Sequence, residues 1–295
     1  MGLGSDAITL LIELKKAGHI GDASAVMEIG AQQLANSFLE YHEGLDQLAK
    51  LFGVSAPRTL PQRLATHIAH GDLEHLNASA PRAEAFWRWL GFTYASIDID
   101  GSPGSISLDL NYDDVPEAAQ GKYALVTNFG TTEHVANQLN AFKVIHELTA
   151  REGVMIHHLP AQGMFNHGLV NYNPKFFRML ERSNGYRLLH MNFISSESAY
   201  TLPQNIQDDV IAYHPHAARR LGDYKASDCA VVVALKKRFD LPFVAPIDVP
   251  TGTNAHDKLL EDRYWTVFKP IAFRKYKALA ILASLLSKVK NGFSG

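Results

Sequence analysis

Glu28, Asp98 and Asp109 each fall at or near the end of a short apolar run, at 25–29, 94–99 and 106–110. A carboxylate at the end of a strand can accept both hydroxyls of a ribose and so fix a bound nucleoside. Gly30, two residues after Glu28, supplies a tight turn where backbone approaches a ligand closely. One such residue alone reads equally well as a solvated turn. Three at consecutive strand ends point to a nucleoside site. Histidines form the second group, 14 in all. Four of them fall at strand ends or in the segments that follow: His134 beside Glu133, the pair His157-His158, and His167 between Asn166 and Gly168. With a pKa near working pH, histidine suits a general base for a hydroxyl nucleophile. His134 and His167 are read as base or substrate-orienting groups; strand alternation buries one of His157 and His158 and turns the other to the site. His214-Pro215-His216 is a loop pair without a third ligand, read as solvent-exposed.

Regular elements must hold these groups in place, and the apolar periodicity supplies them. Helical spacing covers 6–16, 133–151 (Val135, Leu139, Phe142 and Ile145 on one face) and 174–183. Strand-like runs fall at 25–29, 94–99, 106–110, 123–127, 154–158, 186–193 and 229–235. This alternation predicts an α/β fold: a seven-stranded, mostly parallel sheet with helices on both faces. Ligands of such sheets lie beyond the carboxyl ends of the strands, at the topological switch point. The stretch between Gly30 and Asp98 exceeds what one crossover needs and reads as a helical insertion at about 42–92. Its last helix opens at Ser79-Ala80-Pro81 and closes at Gly91. Phe86, Trp87, Trp89 and Leu90 are read as packing onto the parent domain. The expected division is a domain over 1–240 and an extension over 241–295.

Composition bounds the partners. The 295 residues are 46% hydrophobic and 20% charged, with 28 basic against 30 acidic residues and a net charge of −2. That excludes nucleic-acid binding through bulk positive charge. A lone Cys229 excludes an internal disulfide. No apolar run approaches the ~20 residues of a membrane span, and the first residues carry no secretion signal. A cytoplasmic setting is the expectation. At 273–290, basic residues flank an apolar centre. This segment reads as a helix docked on the domain or on a second copy of the chain, or lying on an anionic membrane surface.

Several motifs, in order, carry a resemblance. Val26-Met27-Glu28-Ile29-Gly30, Ser96-Ile97-Asp98-Ile99, Leu108-Asp109-Leu110-Asn111 and Tyr123-Ala124-Leu125-Val126 followed by Glu133-His134-Val135 resemble the strand-end motifs of class I S-adenosylmethionine-dependent methyltransferases. Asn166-His167-Gly168, Asn173-Pro174, Phe176-Phe177 and Asn184-Gly185-Tyr186 resemble a subgroup of them. The resemblance implies a Rossmann-like methyltransferase fold and S-adenosylmethionine as cofactor. It implies binding through Glu28, Gly30, Gln32, Asp98, Asp109, Leu110 and Asn128, with Asp98 at the ribose and Asp109 at the adenine amine. Catalytic roles fall to Glu133, His134 and His167. The first motif departs from its usual pattern: Ala31-Gln32-Gln33 stands where further glycines are usual. Relatives that use the Glu-His pair at a divalent metal carry an acid three residues earlier, where this chain has Gly130, so no metal is expected. Methyl transfer to oxygen of a small molecule or sugar is the expected function. The alternatives are a non-catalytic binding or assembly protein on the same fold and, more remotely, a hydrolytic metalloprotein.

Overall fold

The computed structural model describes residues 2–22, 24–55, 81–100, 102–195 and 229–248. The middle of the helical insertion (56–80, including Ser79-Ala80), the histidine pair at 214–216 and the amphipathic segment at 273–290 lie outside the described residues.

Seven strands form one sheet: β1 (Ala25–Ile29), β2 (Thr93–Asp98), β3 (Ile106–Ser107), β4 (Tyr123–Phe129), β5 (Thr149–Pro160), β6 (Arg187–Ser195) and β7 (Cys229–Lys236). Their order is β3-β2-β1-β4-β5-β7-β6. The pairs β1–β2, β2–β3, β1–β4 and β4–β5 are parallel, and β7 runs antiparallel between β5 and β6. The chain steps outward from β1 to β3, then returns to lay β4 on the other side of β1. The switch point therefore lies between the carboxyl ends of β1 and β4, where α/β sheets bind ligands.

Side-chain alternation assigns each strand residue to one of two cores. Met27, Ile29, Val126, Met155 and Leu159 face α5 (Gln138–Leu148) and α6 (Pro174–Asn184). Val26, Leu125, Phe129, Val154 and Ile156 face α1 (Ser5–Lys16), α2 (Asn36–Glu40), α3 (His42–Phe52) and α4 (Glu84–Trp89). The sheet is thus covered on both faces. Phe86 and Trp87 are fully buried in the second core, packing as their sequence setting predicted.

The expected helix at 133–151 is divided. Thr132–His134 forms a 3₁₀ turn, and α5 begins only at Gln138, where the Asn137 side chain accepts the Asn140 N–H as an N-cap. Gln138 Nε2 donates to the Thr132 and Val135 carbonyls, both at 2.6 Å, which ties the turn to the helix without continuing it. Leu139, expected on the buried face, is 57% exposed. The helix ends at Leu148 because Thr149–Glu152 already belong to β5. β3 is shorter than predicted, and Leu108–Asn111 instead forms a turn in which Asp109 Oδ1 accepts the Asn111 N–H. The first residues beyond position 240 are tied to the domain: Leu241 O lies 2.7 Å from His146 Nε2, and Val244 exchanges two hydrogen bonds with the Asn184 side chain.

Candidate functional site

A cleft of about 370 Å³ opens at the switch point. Its walls are Gly30–Gln33 after β1, Ile97–Ile99 at the end of β2, Leu108–Asn111 after β3, and Gly130, Thr131, His134 and Val135 after β4.

The β1 loop is held from three sides. Gly30 has φ +78°, and a Cβ there would lie 2.3 Å from Thr131 Oγ1, so both its conformation and its crowding demand glycine. Thr131 Oγ1 donates to the Ile29 carbonyl at 2.6 Å and accepts from Gln32 Nε2 at 3.0 Å; Gln32 Nε2 also donates to Ile29 O. The Ala31 N–H donates to Asp98 Oδ2 at 2.8 Å. Gln32 is 5% exposed, its amide turned back onto the loop. Where further glycines are usual, the bulk of Gln32 thus folds back onto the turn.

Glu28 lies beneath this loop, not in the cleft wall. Fully buried, it accepts Trp87 Nε1–H (2.6 Å) and Tyr94 O–H (2.8 Å) as well as the Gln32 N–H (3.1 Å). Burial pushes its pKa up to about 7, against the pull of the three donors. Its place is to anchor the loop from below. Trp87 and Tyr94 are site-supporting residues that no motif revealed. The signal for them was physical: a carboxylate inside Ala25–Ile29 must find donors, and Trp and Tyr combine an apolar body with a donor.

Asp98, Asp109, Leu110, Gly30, Gln32 and His134 all line the cleft. Asn128 does not. It is buried below the floor, where Nδ2 donates to Thr132 Oγ1 (2.8 Å) and lies 3.3 Å from His157 Nδ1. His157 and His158 are both buried, one on each face of β5, whereas alternation was expected to turn one toward the site. His157 sits between the rings of Phe142 and Phe177, and burial holds its pKa down to about 3. His158 Nδ1 lies 3.0 Å from Asp6 Oδ2 of α1. Neither points into the cleft.

Glu133, His134 and His167 come together beside the cleft. Glu133 Oε1 is 3.8 Å from His134 Nε2 and 3.6 Å from His167 Nε2, and the two imidazole rings are 5.8 Å apart. The loop after β5 is fastened here through Glu133 itself, whose carbonyl accepts the N–H groups of Leu169 (2.8 Å) and Val170 (3.1 Å). A Cβ on Gly168 would lie 2.9 Å from Glu133 Cγ, so glycine permits this approach. Burial raises the Glu133 pKa; burial and then the neighbouring charge of His167 lower that of His134.

No protein-family model matches the chain, and no curated protein sequence matches it. Solved structures do. It is similar to a 1,6-didemethyltoxoflavin-N1-methyltransferase from Burkholderia thailandensis, with 1,6-didemethyltoxoflavin and S-adenosylhomocysteine bound, at 10% identity over 79% of each chain and a TM-score of 0.40. A SAM-dependent methyltransferase from Archaeoglobus fulgidus matches at 11% identity over 78% of this chain and 94% of that one, with a TM-score of 0.39. The [4+2]-cyclase SpnF matches at 11% identity over 80% and 83%, with a TM-score of 0.40. The chain's own sheet, with its single antiparallel strand and its cleft at the β1–β4 switch point, is that of a Rossmann-like α/β protein.

Proposed function

We propose that the chain is an S-adenosylmethionine-dependent methyltransferase acting on oxygen of a small-molecule or sugar acceptor. The observation that carries this reading is the Asp98 carboxylate in the cleft wall. Oδ2 receives Ala31 N–H and Oδ1 lies 3.3 Å from Asp100 N, which fixes the plane of the carboxylate while each oxygen keeps a lone pair for a ribose hydroxyl. Asp109, across the cleft and fixed by its own turn, suits the adenine amine. Gly30 and the backbone after it take the amino-acid end. When bound, the cofactor supplies an electrophilic methyl group, so the chain's own contributions are orientation, exclusion of water and handling of the acceptor's proton.

His134 lines the cleft, and His167 stands beside it on the same carboxylate. In this reading they receive or direct an acceptor hydroxyl. Asn128 is held by Thr132 and His158 lies beside Asp6, so neither side chain lines the cleft.

Titration calorimetry with S-adenosylmethionine and S-adenosylhomocysteine tests the cofactor. Charge-assisted hydrogen bonds contribute roughly 1.5–3 kcal/mol each, so Asp98→Ala is expected to weaken binding at least tenfold. A folded Asp98→Ala protein that binds as tightly as its parent overturns the assignment. Binding without turnover on a panel of hydroxylated acceptors would favour the non-catalytic alternative.

A further inference from the structure

Two carboxylates near the cleft, Glu28 beneath its β1 loop and Glu133 beside it, are fully buried, and their surroundings differ sharply. Glu28 accepts three hydrogen bonds. Glu133 exposes 0% of its surface, and neither Oε1 nor Oε2 has a hydrogen-bond partner among the described residues. Burying an ionised carboxylate without donors is among the costliest arrangements in a protein; such groups are paired or bind a cation. What faces Glu133 is two imidazole nitrogens. At 3.6 and 3.8 Å they are too far to hydrogen-bond to it. Two ligands about 2.1 Å from one tetrahedral ion lie roughly 3.4 Å apart. The gap therefore suits an ion shared between the three groups, whose ligand atoms all lie within 4.8 Å of one another.

We propose that Glu133, His134 and His167 form a divalent metal site at the edge of the cleft. Two imidazoles and a carboxylate are the donor set of borderline ions, Zn²⁺ foremost, with coordination positions left open. The ligands come from separate segments held in fixed relation. Glu133 and His134 share the 3₁₀ turn after β4, and His167 arrives on the β5 loop that the Glu133 carbonyl and Gly168 fasten against that turn. His167 thus supplies, from a distant part of the chain, the ligand that Gly130 cannot. His134 belongs both to this cluster and to the cleft wall, so an ion held there would lie beside the space where an acceptor oxygen would sit. That last step rests on the methyl-transfer reading; the ion site itself does not. Within it the two histidines direct the acceptor hydroxyl as ligands of the ion.

The test uses full-length protein freed of metal with a chelator. It is titrated with Co²⁺ followed by visible absorption and with Zn²⁺ followed by calorimetry, and S-adenosylhomocysteine is titrated in parallel. One ion per chain is expected, with an absorption spectrum of low-symmetry Co²⁺. Glu133→Gln keeps the shape of the side chain, and His167→Ala lies on a loop, so circular dichroism should match the parent for both. Each is expected to weaken Co²⁺ and Zn²⁺ binding by at least tenfold, while His42→Ala, on the exposed face of α3, leaves it unchanged. No stoichiometric binding, or equal binding by the parent, Glu133→Gln and His167→Ala, overturns the proposal. Ion binding without S-adenosylhomocysteine binding would leave the metal site standing and remove the cofactor reading. The converse result would do the opposite.

Discussion

At the scale of single residues, Gly30 concentrates the site's demands. Its φ of +78° costs any other residue about 1–2 kcal/mol. An added Cβ would also strike Thr131 Oγ1, the atom that closes the turn onto Ile29 O and receives Gln32 Nε2. Gly30→Ala should therefore lower the melting temperature and weaken S-adenosylhomocysteine binding at least tenfold, because the displaced loop no longer presents Ala31 N–H to Asp98. The two causes can be separated. Thr131→Ala removes the struck atom but not the backbone strain, so Gly30→Ala/Thr131→Ala should recover part of the stability lost in Gly30→Ala. A double-mutant cycle by urea denaturation measures that coupling. Strictly additive effects would mean that the clash contributes nothing.

Elements matter at the next scale because the cleft is only as firm as the packing beneath it. α4 places Trp87 so that its indole N–H reaches Glu28 from one side, while β2 brings Tyr94 from another. Trp87→Phe keeps an aromatic ring in the core but removes the 2.6 Å hydrogen bond, leaving a buried carboxylate short of a donor. Such a loss costs about 1–3 kcal/mol. Trp87→Phe is expected to show it in urea denaturation, and to show less of it in a Glu28→Gln background; an equal cost in both backgrounds would reduce Trp87 to packing alone. These contacts also explain how much was legible in the sequence. Strand positions and the acids at their ends follow from apolar runs and turn residues, so the sheet and Asp98 and Asp109 in the cleft wall were readable. The divided helix was not: the 132–148 stretch keeps helical spacing, and what stops it is the local competition of the Asn137 cap and the Gln138 amide for the backbone. Nor could spacing reveal that Trp87 meets Glu28 or that His167 meets Glu133. Those contacts are made across segments far apart in the chain, and only the packed structure brings them together.

Across the whole molecule, buried titratable groups couple the two cores to pH. Burial holds His157 down to about 3; burial and then the Lys237 charge hold His146 down to about 4. Both are therefore neutral in the fold, whereas in the unfolded chain they take up protons near 6.5. Below that pH the unfolded state binds more protons than the native state. Each histidine then subtracts stability as the pH falls, by up to about 1.4 kcal/mol per pH unit until its native pKa is reached. Glu28 acts in the opposite sense. Its native pKa is raised from 4.5 to about 7, so the folded protein holds a proton there that the unfolded chain has already lost. Its contribution is fully present below 4.5 and is lost as the pH rises through about 7. Between about 4.5 and 6.5 the two histidines outweigh the single carboxyl, and these three groups together favour the fold at the upper end of that window. His157 is the one to remove, because Phe142 and Phe177 flank it and Leu can take its place among them. Unfolding free energies from urea titrations at pH 5, 5.5, 6 and 7 would be compared for the parent and His157→Leu. The parent is expected to lose stability more steeply on acidification, by up to about 1.4 kcal/mol per pH unit below 6.5, with the difference between the two curves levelling off towards pH 7. Parallel curves throughout would mean that His157 titrates normally and is not held neutral by the α5–α6 core.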